Sequence, residues 1–128
     1  MANGRILVVD DEPFIRRSLE FVLKKQGYEV HSVNNGEEAI EFLKNTNGQK
    51  PDVMFLDVMM PKMNGFQVVE AVKRDPDLKD IYVILLTAKG QEADRQKGFQ
   101  LGANDFIIKP FSPSKLLEKV KSIFSDEG

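Results

Sequence analysis

Apolar and polar positions alternate along the chain in blocks that predict five strands, each followed by a helix. Short apolar runs rich in β-branched residues and bounded by turn residues are typical of buried strands. Between them, apolar residues recur at helical spacing, as Ile15, Leu19 and Leu23 do, and so mark one side of a helix. The predicted strands cover residues 5–9, 28–33, 52–56, 81–86 and 105–108.

Capping residues and prolines predict the helix boundaries. Pro13 suits a first helical position, with Asp11 or Glu12 as the cap, and Gly27 suits the end of that helix. The other helices are predicted from Asn35 to beyond Leu43, from Phe66 to before Pro76, over 91–101 with Gly102 as its end, and from Ser112–Pro113 onward.

Strands that are apolar throughout and alternate with helices favour a parallel sheet covered on both faces. Because the crossover connections are right-handed, the expected fold class is α/β, a three-layer, doubly wound sheet. The most hydrophobic strand, 81–86, is predicted to be central, and the more polar 28–33 to lie near an edge. No repeat or linker interrupts the pattern, so residues 1–128 are predicted to form a single domain.

Composition excludes several kinds of chemistry. The chain has no Cys, which removes disulfides, thiolate zinc sites, iron–sulfur clusters and Cys nucleophiles, and its one His leaves little for a Ser-His-Asp triad. A net charge of −2 gives no excess of positive charge for direct nucleic-acid binding. No apolar run approaches the ~20 residues of a membrane span, and the acidic start does not fit a signal peptide. We therefore expect a cytoplasmic protein.

Polar residues stand at the carboxyl ends of four predicted strands, the edge where open α/β sheets bind ligands. Asp10 and Asp11 follow the first strand, Asp57 the third, Thr87 the fourth and Lys109 the fifth. Taken singly, each has a structural explanation, such as a helix cap or the start of a turn. Together they predict one site with three carboxylates, a hydroxyl and an ammonium.

This set of groups favours phosphoryl chemistry with a metal ion. Clustered carboxylates repel one another unless a cation offsets them, and oxygen ligands in an incomplete cage suit Mg²⁺ better than Ca²⁺, with Mn²⁺ as a substitute. Lys109 and Thr87 could each bind a phosphoryl oxygen. A carboxylate beside the metal could then attack phosphorus and form an acyl phosphate.

The motifs VVDDEP, FLDVMMPKMNG, LLTA and GANDFIIKPF stand in an order and spacing that resemble the receiver domain of two-component response regulators, the CheY-like family. The resemblance covers residues 4–124. It implies a five-stranded parallel sheet in the flavodoxin-like order 2-1-3-4-5 with five helices, and a cis peptide between Lys109 and Pro110.

The resemblance also implies a role for each site residue. Asp57 would be the phosphoacceptor, Asp11 would bind Mg²⁺ directly and Asp10 mostly through water, and the backbone carbonyl of Met59 would supply a further ligand. Lys89 would flank the site with Met59 and tune the lifetime of the phosphoryl group.

Two further residues would respond to phosphorylation. By the same resemblance Thr87 would bind the phosphoryl group and shift toward it, while Lys109 pairs with it. Phe106 would follow Thr87 as a switch residue, although its spacing alone favours a plain core aromatic. The fourth helix has a thin apolar face, so we expect motion at the surface formed by this helix, the fifth strand and the fifth helix.

The implied function is a phosphorylation-dependent signalling switch that slowly dephosphorylates itself, rather than an enzyme with an external substrate. Its implied partners are a sensor histidine kinase or phosphotransfer protein and a downstream protein target or output domain, with a phosphorylation-dependent dimer as a compatible assembly. Whether the chain stands alone or belongs to a longer regulator stays open. The surface implied for partner choice is the exposed face of the first helix around Phe14, Arg17, Ser18 and Phe21.

The main alternative is a Mg²⁺-dependent phosphatase with an aspartyl nucleophile. Enzymes of that class place a second Asp two residues after the nucleophile, where this chain has Met59. A flavin-binding module shares the predicted fold, but the loop after the first strand is acidic where a flavin phosphate needs small polar residues.

Overall fold

Strands and helices alternate along the chain in a computed structural model, which describes residues 4–88 and 90–125 apart from the side chain of Glu92. The five strands pair in parallel as one sheet in the order β2-β1-β3-β4-β5. The predicted fold class and strand order are therefore confirmed. In chain order the elements are β1 (Arg5–Val9), α1 (Pro13–Lys25), β2 (Glu29–Val33), α2 (Gly36–Lys44), β3 (Val53–Asp57), α3 (Gly65–Arg74), β4 (Tyr82–Ala88), α4 (Glu92–Leu101), β5 (Asp105–Lys109) and α5 (Pro113–Ser125).

The position of one strand differs from the prediction. The polar strand β2 lies at an edge as expected, but β3, not β4, is the central strand, and β4 lies between β3 and β5. All of β3 and most of β4 are buried. Any interior strand of a covered parallel sheet is apolar on both faces, so hydrophobicity separates interior strands from edge strands but does not rank the interior ones.

The sheet divides the core into two layers. Along β1, Leu7 and Val9 point to one side and Ile6 and Val8 to the other, as the two-residue period of a strand requires. The first layer is completed by α2 and α3 and the second by α1 and α5. Their buried apolar side chains are Ala39, Leu43, Val68, Val69 and Val72 in the first layer and Leu19, Leu23, Leu116 and Val120 in the second.

Helix α4 packs more loosely than its neighbours, as its sequence predicts. Among its described residues only Gly98 is buried. Its side chains reach both neighbouring elements: the Lys97 ammonium lies 4.6 Å from the centre of the Phe66 ring on α3, and the Phe99 ring packs edge-to-face on Phe106 of β5 with 4.7 Å between centroids. Gly102 ends the helix in a left-handed conformation with φ 110°.

None of the helices within residues 4–88 and 90–125 has both the length and the apolar character needed to span a bilayer.

Candidate functional site

Three strand ends bring opposite charges together at the carboxyl edge of the sheet. The Lys109 ammonium lies 2.9 Å from Asp10 Oδ2 and 3.4 Å from Asp57 Oδ1. Asp10 is fully buried and Asp57 is 5% exposed. Because β5 does not neighbour β1 or β3, the long side chain of Lys109 must cross the strand ends to reach them. The predicted convergence of these three residues is therefore observed.

Four carboxylates form the acidic part of the site. One oxygen from each of Asp10, Asp11, Glu12 and Asp57 lies within 4.8 Å of the others, with Asp10 and Asp57 buried and Asp11 and Glu12 exposed. The cluster therefore has a buried inner wall, formed by Asp10 and Asp57, and an exposed outer side, where the Asp11 and Glu12 carboxylates face solvent.

Glu12 is a member of this cluster that sequence reasoning assigned to a different role. It does occupy the N-cap position of α1, but its side chain makes no capping hydrogen bond. Instead its backbone N–H donates to Asp10 Oδ1 at 2.9 Å, and its carboxylate lies 3.3 Å from the Lys109 ammonium. The uninterrupted acidic run of residues 10–12 was the available signal for this contact.

Burial and repulsion govern the ionisation of Asp57. Removal from water and then the nearby Asp10 charge raise the pKa of Asp57 to about 6, while Lys109 and the Met59 N–H oppose that rise. Burial by itself lowers the pKa of Lys109, but its contacts with Asp10, Asp57 and Glu12 outweigh burial, so the pKa is raised. One ammonium thus contacts three of the four clustered carboxylates, and the site favours a further cation.

The loop after β3 folds back over Asp57. The Met59 N–H donates to Asp57 Oδ1 at 3.4 Å, and the Gly65 N–H donates to the Val58 carbonyl at 3.0 Å. A Cβ atom at position 65 would lie 2.5 Å from the Asp57 carbonyl oxygen. Only glycine allows this approach, so Gly65 shapes the loop after Asp57.

Gly65→Ala is expected to lower the free energy of unfolding by about 2 kcal/mol, because the new methyl group must push the Asp57 backbone away. Urea denaturation measures the change. The control is Gly48→Ala, where a Cβ meets nothing within 4 Å and only the φ of 84° is strained, at about 1 kcal/mol. Equal costs at the two positions would contradict the role of the close approach.

Thr87 lies at the same edge of the sheet but is bonded toward α4. It is buried at the end of β4, and its hydroxyl donates to Asp94 Oδ2 at 3.4 Å rather than to a member of the carboxylate cluster. Sequence reasoning missed Asp94. Its only signal was an acidic side chain seven residues after Thr87, in the first turn of a helix with few apolar residues.

Phe106 is packed beneath α4. Its ring is buried against Phe99, and the Arg95 guanidinium lies 5.9 Å from its centroid. A Cβ atom at position 98 would lie 2.8 Å from Phe106 Cζ, so Gly98 provides the space for the ring. This packing agrees with the core-aromatic explanation, and the switch role of Phe106 stays a prediction.

The one histidine of the chain lies away from the carboxylate cluster. His31 is on the edge strand β2, with Nε2 3.3 Å from Glu29 at an exposed position. The Lys109–Pro110 peptide is cis, as the resemblance implies. Lys89 lies outside the described residues.

Helix α1 carries an exposed aromatic surface beside the site. Phe14 and Phe21 are 77% and 69% exposed, and Arg17 is exposed between them while Ser18 is half-buried. Phe14 and Phe21 are the most exposed aromatic rings in the part of the chain that the structure describes.

Comparison with known proteins identifies the family. A family profile described as "Response regulator receiver domain" matches residues 6–121. The chain belongs to this family. The receiver domain is 40% identical over 121 residues to the transcriptional regulatory protein SrrA of Staphylococcus aureus, an alignment that covers 94% of this chain and 48% of SrrA. The receiver domain spans about half the length of the curated relatives it matches.

Solved structures agree with this family assignment. The signal receiver domain of a histidine kinase from Syntrophus aciditrophicus is 39% identical and superposes with a TM-score of 0.87, covering 96% of this receiver domain and 91% of that chain. The receiver domain of sensor histidine kinase PA1611 from Pseudomonas aeruginosa is 27% identical with a TM-score of 0.83, covering 94% and 97%, and is described with a magnesium ion coordinated in the active site cleft.

Proposed function

We propose that this receiver domain accepts a phosphoryl group on Asp57 from the phosphohistidine of a sensor histidine kinase or phosphotransfer protein. The observation that carries the proposal is the buried Asp57 carboxylate, which lies 3.4 Å from an ammonium and among three further carboxylates. An Asp57 oxygen attacks phosphorus, the phosphorus–nitrogen bond of the donor breaks, and the donor imidazole takes up a proton. The product is an aspartyl phosphate.

Lys109 and Thr87 stabilise the transferred group. The Lys109 ammonium already faces Asp57 and pairs with a phosphoryl oxygen once transfer has occurred. The Thr87 hydroxyl donates to a second oxygen after it turns from Asp94, and the small side chain of Ala88 leaves room. Asp57, Thr87 and Lys109 are therefore the proposed catalytic residues, and Thr87 with Phe106 the proposed switch.

The acidic cluster fits Mg²⁺, with Mn²⁺ as a substitute. Its donors are all oxygen, and its outer side is exposed, which suits an ion that keeps several water ligands. Asp11 and Asp57 would hold the ion directly, Asp10 mostly through water, and the Met59 backbone carbonyl would complete the protein ligands. When bound, the ion offsets the carboxylate charge and the charge that develops on the phosphoryl oxygens. The magnesium described for the Pseudomonas aeruginosa receiver domain supports this assignment.

The phosphorylated state would act by contact with other proteins and end by slow hydrolysis of the aspartyl phosphate. The aromatic face of α1 would bind the kinase, and the surface of α4, β5 and α5 would change and bind a downstream target, an output domain or a second copy. Because SrrA is a transcriptional regulatory protein of about twice this length, an output domain in a longer regulator is one such partner. Residues 1–128 would then be one receiver domain, cytoplasmic and without nucleic-acid contacts of its own.

Incubation with acetyl phosphate tests the proposal. With Mg²⁺, intact mass spectrometry is expected to show one added phosphoryl group, and with EDTA the addition is expected to be at least about tenfold slower, because the carboxylate charge is no longer offset. No added mass under either condition would contradict the proposal. Steady turnover of a small phosphoester would instead favour the Mg²⁺-dependent phosphatase, although Met59 stands where such an enzyme needs its second Asp.

A further inference from the structure

The first turn of α4 has few connections to the sheet. Gln91 occupies the N-cap position without a side-chain capping bond, and the described side chains of the turn are exposed or half-buried. The hydrogen bond from Thr87 to Asp94 joins this turn directly to the end of β4. This hydrogen bond therefore connects a proposed switch residue with the helix that is expected to move.

We propose that Asp94 is a positioning residue. It holds the Thr87 hydroxyl in the unphosphorylated receiver domain and competes for that hydroxyl with the phosphoryl group once Asp57 is phosphorylated. This inference rests on the proposed function of Asp57 and Thr87. A hydroxyl has one proton to donate. Thr87 therefore cannot donate to Asp94 and to a phosphoryl oxygen at the same time, and phosphorylation must break the bond to Asp94 before Thr87 can bind the new group.

The geometry of the contact suits an exchange between two acceptors. At 3.4 Å the Thr87–Asp94 distance exceeds the usual range for a hydroxyl donor, so the bond is weak. The competing acceptor is stronger, since a phosphoryl group carries close to two negative charges and three acceptor oxygens.

Loss of the bond would loosen the first turn of α4, where Arg95 still lies against the Phe106 ring, while the later turns stay attached. The contacts of Lys97 with Phe66 and of Phe99 with Phe106 lie further along the helix and do not depend on Thr87. Phosphorylation would therefore detach α4 at the end nearest Asp57 first. The strength of the Thr87–Asp94 bond would then determine how much of the binding free energy of the phosphoryl group is lost in breaking that bond.

The test measures the affinity for beryllofluoride, a phosphoryl mimic, in the presence of Mg²⁺ by titration of backbone amide shifts. Asp94→Ala removes the competing acceptor and is expected to bind beryllofluoride about threefold to tenfold more tightly than the wild type, since a weak hydrogen bond no longer has to be broken. Asp94→Asn keeps a neutral acceptor, so its beryllofluoride affinity is expected to lie between those of the wild type and Asp94→Ala. Gln96→Ala, an exposed change on the same helix, is expected to match the wild type.

A second measurement separates this role from simple support of the helix. A double-mutant cycle of Thr87→Ala and Asp94→Ala on the free energy of unfolding, without beryllofluoride, is expected to show coupling between the two side chains. If Asp94 only supported α4, Asp94→Ala would lower both stability and beryllofluoride affinity, and that result would overturn the inference, as would a cycle without coupling. If the wild type failed to bind beryllofluoride, the proposed function itself would fall, and this inference with it.

Discussion

Asp57→Asn is expected to abolish the gain of mass from acetyl phosphate, because the amide oxygen is too weak a nucleophile to attack phosphorus. Without a divalent ion, the same change is expected to raise the free energy of unfolding at pH 8 by about 2 kcal/mol. The gain arises because the neutral amide avoids the cost of burying a charged carboxylate and also places no charge beside the buried carboxylate of Asp10. Function and stability should thus change in opposite directions.

The pH dependence of that gain follows from the pKa of Asp57. Its pKa is 3.8 without the fold and about 6 within it, so between these values the folded protein holds a proton that the unfolded chain has lost. Wild-type stability therefore falls as the pH rises from about 4 to about 6, and the deficit persists above that range. The gain in the free energy of unfolding from Asp57→Asn should be absent near pH 4 and complete at pH 7.

Urea denaturation in EDTA across this pH range measures the stability difference, and intact mass with Mg²⁺ measures the phosphorylation. Asp52→Asn is the matched control. Asp52 is exposed at the opposite end of β3, where its carboxylate accepts a hydrogen bond from the Arg5 N–H that an amide oxygen can also accept. A phosphorylated Asp57→Asn protein, or equal stability effects of the two substitutions at pH 8, would contradict the prediction.

Lys109→Met is expected to lower the free energy of unfolding by about 3 kcal/mol at pH 8 without Mg²⁺, since it leaves buried carboxylates without their cation. Lys109 contacts Asp10, Asp57 and Glu12. Its pKa is raised in the folded protein, so its contribution is present throughout the neutral range and is lost only as the pH rises above that raised pKa.

Two conditions should reduce the loss of stability caused by Lys109→Met. On acidification the deficit is expected to shrink, because without Lys109 the pKa of Asp57 rises further above about 6 and the carboxyl takes up a proton. Added Mg²⁺ is expected to stabilise the variant more than the wild type, since the carboxylates that lost the ammonium bind a cation more tightly. Thermal unfolding at pH 8 and at lower pH measures the first effect, and thermal unfolding at pH 8 with and without Mg²⁺ measures the second.

Lys121→Met is the control for this substitution. Lys121 is exposed on α5, so its replacement is expected to change stability by less than about 0.5 kcal/mol and to show no dependence on Mg²⁺. If Mg²⁺ stabilised Lys109→Met no more than the wild type, the ammonium and the metal ion would not serve the same carboxylates, and the proposed electrostatics of the site would be wrong.

The sequence predicted the parts of the site that follow from topology. Asp10, Asp57 and Lys109 could be placed together because parallel strands end at one edge of the sheet, and no detail of side-chain direction was needed. The family resemblance added the strand order and the cis peptide, which local patterns do not encode. The prediction of a thin apolar face on α4 also held, because side-chain spacing alone determines it.

The parts that sequence reasoning missed depend on where individual side chains turn. Glu12 and Asp11 were both candidates for the cap of α1, because both stand at its start, and only the structure shows the Glu12 carboxylate beside Lys109. The bond between Thr87 and Asp94 depends on how α4 sits on the sheet, which a seven-residue spacing does not specify. The central position of β3 could not be separated from that of β4 because both strands are almost entirely apolar.

The ion pairs of Lys109 have a consequence for biosynthesis. Lys109 stands 99 residues after Asp10, and its strand is added to the sheet beside β4. A nascent chain that still lacks β5 has the carboxylates but not the ammonium that holds them together. If Asp57 accepts the phosphoryl group as proposed, such an unfinished chain would be a poor acceptor, and phosphorylation would have to wait until β5 has left the ribosome and joined the other strands.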